Sequence, residues 1–164
     1  MELIEKSNYY DSGKIKEEWT ENIEGNIDGV YKKYDEEGKK VKELHYMNGK
    51  RKEGREYEYY QNGKILSEKN FDNGELKGIC KEFYENGRLK KIYFYLRGQK
   101  NGEYKEFYEN GDIKEKGKYI LGNKDGVWEY HSKNGDIKEE IYYEGKKINY
   151  LKATAIRIFE WFIG

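Results

Sequence analysis

Cysteine occurs once in these 164 residues, at Cys80, and histidine twice, at His45 and His131. A structural zinc site takes four Cys/His ligands at short spacings, so these three form no metal cluster. A single cysteine closes no internal disulfide, and Cys80 reads as a small apolar strand residue. Ser7, Ser12, Ser67 and Ser132 lack the positioned histidine and acid that would activate a hydroxyl. Ser12 has the place of a turn residue. Asp and Glu number 32. Pairs at the spacing of glycosidase carboxylates, roughly 5–9 Å, therefore arise between neighbouring strands by geometry alone. The glycines punctuate turns and open no strand-to-helix phosphate loop. The expectation is a chain that is not an enzyme and holds no cofactor and no metal.

Composition narrows the class further. Lys and Arg total 32, equal to Asp and Glu, so the net charge is zero. A nucleic-acid binder shows a basic excess, because phosphate neutralisation supplies most of its affinity. Here Lys and Glu alternate, the pattern of a solvated strand face, and no nucleic-acid partner is expected. A charged fraction of 39% would also suit a disordered chain. An aromatic content of 16%, with 18 Tyr, argues against disorder. No run reaches the ~20 apolar residues of a membrane span. Met1-Glu2-Leu3-Ile4-Glu5 lacks the basic and then apolar regions of a secretory signal. The expected location is the cytoplasm, or outside the cell if a signal has been replaced by the starting Met.

What must position these side chains is a repeat of 24–25 residues. Its glycines are Gly13, Gly38, Gly63, Gly87, Gly111 and Gly135, and Gly29, Gly54, Gly78, Gly102 and Gly126 precede the last five by nine. Fixed-period self-similarity means stacked supersecondary units. Four of the six turns read Asn-Gly between β-prone runs, the hairpin signal of a two-residue type I′ turn. That register sets Tyr84 opposite Leu89, and likewise Tyr10 and Ile15, Tyr60 and Ile65, Tyr108 and Ile113. In the second unit the pair becomes Asp35 and Lys40, opposite charges replacing both apolar partners. Alternation then sorts two faces. One carries Cys80, Tyr84, Leu89, Tyr93 and Tyr95, with Tyr31, Tyr104, Trp128, Tyr46, Phe71, Tyr119 and Tyr143 at equivalent positions. The other carries Tyr9, Tyr34, Tyr59, Phe83 and Phe107, opposed mostly by Lys16, Lys90, Lys114 and Lys138.

The predicted fold is all-β: an elongated antiparallel meander of about six hairpins in one twisted layer, with a short C-terminal capping helix. Twelve strands at ~4.8 Å spacing would span roughly 55 Å. The repeat domain is 1–148, with units at about 5–25, 29–49, 54–74, 78–98, 102–122 and 126–145. Segment 149–164 has no turn, and Leu151, Ala155, Ile158 or Phe159, and Phe162 fall at helical spacing over about 151–162. This helix caps the last hairpin, or docks a partner or a second copy through Phe159, Trp161 and Phe162, or lies on a membrane surface.

The units Gly102-Glu103-Tyr104-Lys105-Glu106-Phe107-Tyr108-Glu109-Asn110-Gly111 and Gly126-Val127-Trp128-Glu129-Tyr130 resemble the bacterial MORN-repeat variant, whose proteins are often labelled YwqK-family antitoxins. The resemblance covers about 5–148. The units around Asp35 and His131-Ser132 depart from its aromatic pair. It implies an elongated sheet of repeated hairpins, a role in protein interaction that includes neutralising toxins, and no catalytic residues. The expected function is a protein-binding module of immunity or antitoxin type whose partner is a toxin domain. The alternatives are an exported or structural scaffold that self-associates through its helix or a sheet edge, and a phospholipid or glycan binder. Tyr and Trp dominate interface hot spots. Tyr60, Tyr84, Tyr104, Tyr108 and Trp128 on the less charged face are the expected partner surface, with Phe159, Trp161 and Phe162 of the helix.

Overall fold

A computed structural model describes residues 2–50, 54–154 and 156. Its strands in chain order are β1 (Ile4–Tyr9), β2 (Ile15–Glu21), β3 (Gly29–Tyr34), β4 (Lys40–Tyr46), β5 (Gly54–Tyr59), β6 (Ile65–Asp72) and β7 (Glu75–Leu76). Then follow β8 (Gly78–Phe83), β9 (Leu89–Leu96), β10 (Gln99–Phe107), β11 (Ile113–Ile120), β12 (Asn123–His131), β13 (Ile137–Tyr143) and β14 (Lys146–Ile148). Every pair is antiparallel and, apart from the step from β6 to β8, neighbours follow chain order, so the chain runs one meander. The short β7 pairs with β6, beside β8. The all-β meander expected from the repeat is the observed fold. The strand β14, three residues long, extends it beyond six hairpins.

The turns correct the expected register. At Asn86-Gly87 only Gly87 is left-handed, at φ 90°. Tyr84 N–H donates to Arg88 O and Gly87 N–H to Tyr84 O, each at 2.8 Å. This is a three-residue loop, a type I turn closed by a left-handed glycine. It sets Phe83 opposite Leu89, with a register shift between Glu82 and Phe83. Tyr9 with Ile15, Tyr59 with Ile65, Phe107 with Ile113, and Tyr34 with Lys40 repeat the arrangement. Asp35 and Lys40 are therefore not a cross-strand pair. Asp35 instead accepts the Lys39 N–H at 2.8 Å, tightening its own turn. True two-residue turns lie at the opposite ends of the strands. There Asn48-Gly49, Asn73-Gly74, Arg97-Gly98, Leu121-Gly122 and Glu144-Gly145 have positive φ at both residues.

The displaced tyrosines take a different task. The Tyr84 hydroxyl donates to Phe107 O in the next unit at 2.7 Å. Tyr10 reaches Tyr34 O, Tyr60 reaches Phe83 O and Tyr108 reaches His131 O in the same way. The other rim is tied by backbone bonds, Gly98 N–H donating to Leu76 O, Gly122 to Lys100 O and Gly145 to Lys124 O, and by asparagines, with Asn22 Nδ2 donating to Asn48 Oδ1 at 2.9 Å. The register shift also turns lysines. Lys114 reaches Glu106 at 2.7 Å, on the face of Tyr104, and Lys90 lies over the Tyr84 ring at 5.6 Å. The last hairpin has no such shift. It is one residue shorter, and Tyr142, opposite Gly126, takes the aromatic place expected for Tyr143.

Burial concentrates on one face of the sheet from β7 onward. Cys80, Tyr93, Tyr104 and Trp128 form the core, flanked by Leu76, Tyr95, Tyr119, Tyr130 and Tyr142. Trp128 stands edge-on to Tyr119 at 4.9 Å and tilted on Tyr104 at 5.4 Å. Such pairs are worth about 0.5–1.5 kcal/mol beyond their buried area. The ring fits because β11 has glycine beneath it: a Cβ on Gly117 would lie 2.3 Å from Trp128 Cδ2. At the chain end residues 150–154 and 156 are helical, one residue ahead of the expected start. Asn149 caps the helix by accepting the Lys152 N–H at 2.9 Å.

Gly117→Ala is expected to cost about 1–3 kcal/mol, because a buried indole must move to admit the methyl group. Tyr84→Phe is expected to cost about 0.5–1.5 kcal/mol for the lost bond between units. Urea unfolding followed by tryptophan fluorescence measures both; an unchanged midpoint for Gly117→Ala would contradict the packing described.

Candidate functional site

The core face has two caged lysines. The Lys100 ammonium lies 5.0 Å from the centre of the Tyr93 ring, 5.5 Å from Tyr104 and 5.2 Å from Tyr119. Lys124 lies 3.8 Å from Trp128, 5.1 Å from Tyr130 and 5.5 Å from Tyr142. Ring quadrupoles stabilise such cations, more strongly as water is excluded. Around them run charge pairs that satisfy the buried acids. Glu106 accepts from Lys114 at 2.7 Å and from the Tyr104 hydroxyl at 3.0 Å. Glu82 accepts from the Tyr93 hydroxyl at 2.8 Å and pairs with Lys91 at 3.4 Å. Desolvation would raise the Glu106 carboxyl, but the bonds from Lys114 and Tyr104 outweigh it and hold the group below its ordinary value. Each acid is thereby committed to a structural partner.

The opposite face has a groove of about 460 Å³ over β8, β9 and β10. Ile79, Ile92 and Phe94 form its apolar wall, and Glu103 and Lys105 its polar border. Ile79 pairs directly with Phe94, yet they are 49% and 37% exposed. The gap comes from glycine: the β9–β10 ladder breaks between Lys100 and Tyr104. Gly102 at φ 105° there has only the Phe94 side chain within 4 Å of where a Cβ would stand. Further along the strands Val127, Ile141 and Ile148 meet Ala153 and Ile156 of the helix around a cavity of about 400 Å³. The helix thus covers part of the last hairpin.

Of the side chains expected at a partner surface, Trp128 is 0% and Tyr104 6% exposed. Both belong to the core, packed among the sheet's coupled aromatic rows. Tyr60, Tyr84 and Tyr108 are half-buried at the Asn-Gly rim, their hydroxyls spent on the next unit. Tyr84 and Tyr108 border an open groove there with His131, Ser132 and Lys133. Phe159, Trp161 and Phe162 lie outside the described residues. The sequence reading missed the lysine cages and the Ile79–Phe94 groove. The signals were present: Leu76, Lys100 and Lys124 recur 24 apart, and Ile92 and Phe94 alternate with Tyr93 and Tyr95. Among the described residues, no group of His, Cys, Asp and Glu could hold a metal ion, and no helix is long and apolar enough to cross a membrane.

A family model described as MORN repeat variant matches residues 4–20, 27–48, 52–73, 76–96, 100–120 and 124–144. No curated protein matches the chain.

Burial first, and then donation to Glu82 and Glu106, push the hydroxyls of Tyr93 and Tyr104 far above the ordinary tyrosine value. A group whose folded value is raised stabilises the fold fully below its unfolded value, about 10 for tyrosine, and loses that contribution as pH rises beyond it. Stability is therefore expected to fall above about pH 10, with these two tyrosines ionising only on unfolding. Ultraviolet titration alongside urea unfolding measures this, and Tyr104→Phe should flatten the alkaline limb.

Proposed function

Because the chain belongs to the MORN repeat variant family, whose repeats generally serve protein or membrane binding, we propose that it is a non-enzymatic protein-binding module. Its partner in this reading is a folded toxin domain that it occludes, an immunity or antitoxin-like role. The supporting observation is the Ile79–Ile92–Phe94 groove. A single-layer sheet gains nothing by leaving paired apolar side chains in water, and contiguous patches of this kind mark interaction sites. The polar border of Glu103 and Lys105 suits the rim of a protein interface. The half-buried rings of Tyr60, Tyr84 and Tyr108 extend the contact area along the rim of the Asn-Gly turns.

A second reading, attachment to a phospholipid surface, has its own observation. Ile23, Met47, Leu96, Ile120 and Leu121 are exposed large apolar residues at or beside the turns of the other rim, where lipid would cover them. Neutral net charge removes the general attraction to anionic lipid.

In its native cells the protein is expected to retain a stable protein partner and to protect against a toxin encoded beside its gene. Phe94→Asp should abolish both while leaving Trp128 fluorescence native. Absence of both partner and protection in the wild type would overturn the reading. Flotation with neutral and anionic vesicles decides the lipid alternative: Leu121→Asp should reduce flotation if that rim meets lipid, and no flotation of the wild type removes it.

A further inference from the structure

The repeat supplies its own control for Lys100. Lys124 holds the same place one unit later, 24 residues on. There Glu115 lies 2.7 Å from the ammonium and the Tyr130 hydroxyl 3.0 Å from it. One unit earlier the position of Glu115 is filled by Lys91, and that of Tyr130 by Glu106. Lys91 is engaged by Glu82. Glu106 is engaged by Lys114 and Tyr104. Among the described residues, no carboxylate lies within ion-pair distance of Lys100. On this stretch the ammonium groups of Lys91, Lys100, Lys114 and Lys124 face the carboxylates of Glu82, Glu106 and Glu115. One positive charge is left over.

The titration of the two lysines follows the same division. Burial, and then the charge of Lys91, hold Lys100 below its ordinary value. Burial acts on Lys124 as well, but its bonds to Glu115 and Tyr130 raise it above. A partly buried cation without a counterion is costly, and an anion from outside offsets that cost. The size of the imbalance selects the anion. The surplus is one charge, so a single carboxylate of a spaced row matches it, and a compact phosphate dianion exceeds it. The open face of a single sheet layer suits an extended segment.

We infer that Lys100, in its cage of Tyr93, Tyr104 and Tyr119, receives the carboxylate of an acidic segment of a second protein laid across β9, β10 and β11. This site lies on the face opposite the Ile79–Phe94 groove. It stands whether or not a toxin occupies that groove.

An octaglutamate peptide is the probe, followed by side-chain NMR of the lysines, with octaglutamine and inorganic phosphate as controls. Octaglutamate is expected to shift the Lys100 signals and the ring signals of Tyr104 and Tyr119; octaglutamine is expected to shift neither. Lys100→Met should weaken the peptide at least tenfold. Lys91→Glu, which places a carboxylate where Glu115 stands beside Lys124, should weaken it as much and raise the Lys100 pKa. Lys133→Glu, the same charge change on the distant rim, should leave affinity within twofold. Trp128 fluorescence reports that each variant is folded. Unchanged affinity in Lys100→Met, equal weakening by Lys133→Glu, or phosphate bound at Lys100 as tightly as the peptide would each overturn the assignment.

Discussion

A sheet one layer thick has no second layer to lock its units together, so each unit holds the next by a strand ladder and by fastenings at its two ends. Here the two rims use different chemistry. On one, a tyrosine hydroxyl crosses to the carbonyl that closes the next unit's strand. On the other, the glycine N–H of a tight turn donates back to the preceding unit. Both satisfy backbone carbonyls that strand pairing alone leaves over. The rest of the architecture depends on this double fastening. It lets short hairpins, unstable singly, continue into a sheet whose broad faces stay open.

The register shift at each Asn-Gly turn decides what those faces present. It sets the aromatic residue before the tyrosine against Leu or Ile. It frees the tyrosine to reach sideways and swings Lys114 onto the acidic ladder. Where the shift is missing, in the last hairpin, the strand has lost one residue and Tyr142 still arrives under Trp128. Packing against the indole is therefore kept, and so is the turn, where Ser132 N–H donates to Asp136 O and Gly135 stays left-handed at φ 94°. Gly117 belongs to the same logic, since its missing side chain is the space the indole fills.

The period, the hairpins, the antiparallel meander and the start of a terminal helix were all legible, because glycine spacing and alternation report backbone geometry directly. The turn type was not. Asn-Gly serves both a two-residue and a three-residue loop, and the choice rests on whether Asn itself turns left-handed. At Asn48 and Asn73 it does; at Asn86 it does not. Tight turns at Arg97 and Leu121 carry only a glycine as signal. A one-residue error in register exchanged the faces near each turn, which is how Asp35 and Lys40 came to be paired. Further along the strands Cys80, Tyr93, Tyr104 and Trp128 share one side as the alternation implies, while the shortened last hairpin brings Tyr142 there in place of Tyr143. That they bury each other, and so leave the surface, follows from packing across four units that no single unit encodes.

The uneven placement of the core gives the molecule a direction in time. Among the described residues, four of the five buried apolar side chains, Cys80, Tyr93, Tyr104 and Trp128, stand from β8 onward, with Leu44 before them. A chain leaving the ribosome exposes its thinly packed units first and completes its aromatic centre only when Trp128 emerges. Nearest-neighbour coupling then spreads order backward toward the start of the chain. The early units wait as an unfinished edge, and their dense charge keeps that edge soluble until the later ones arrive.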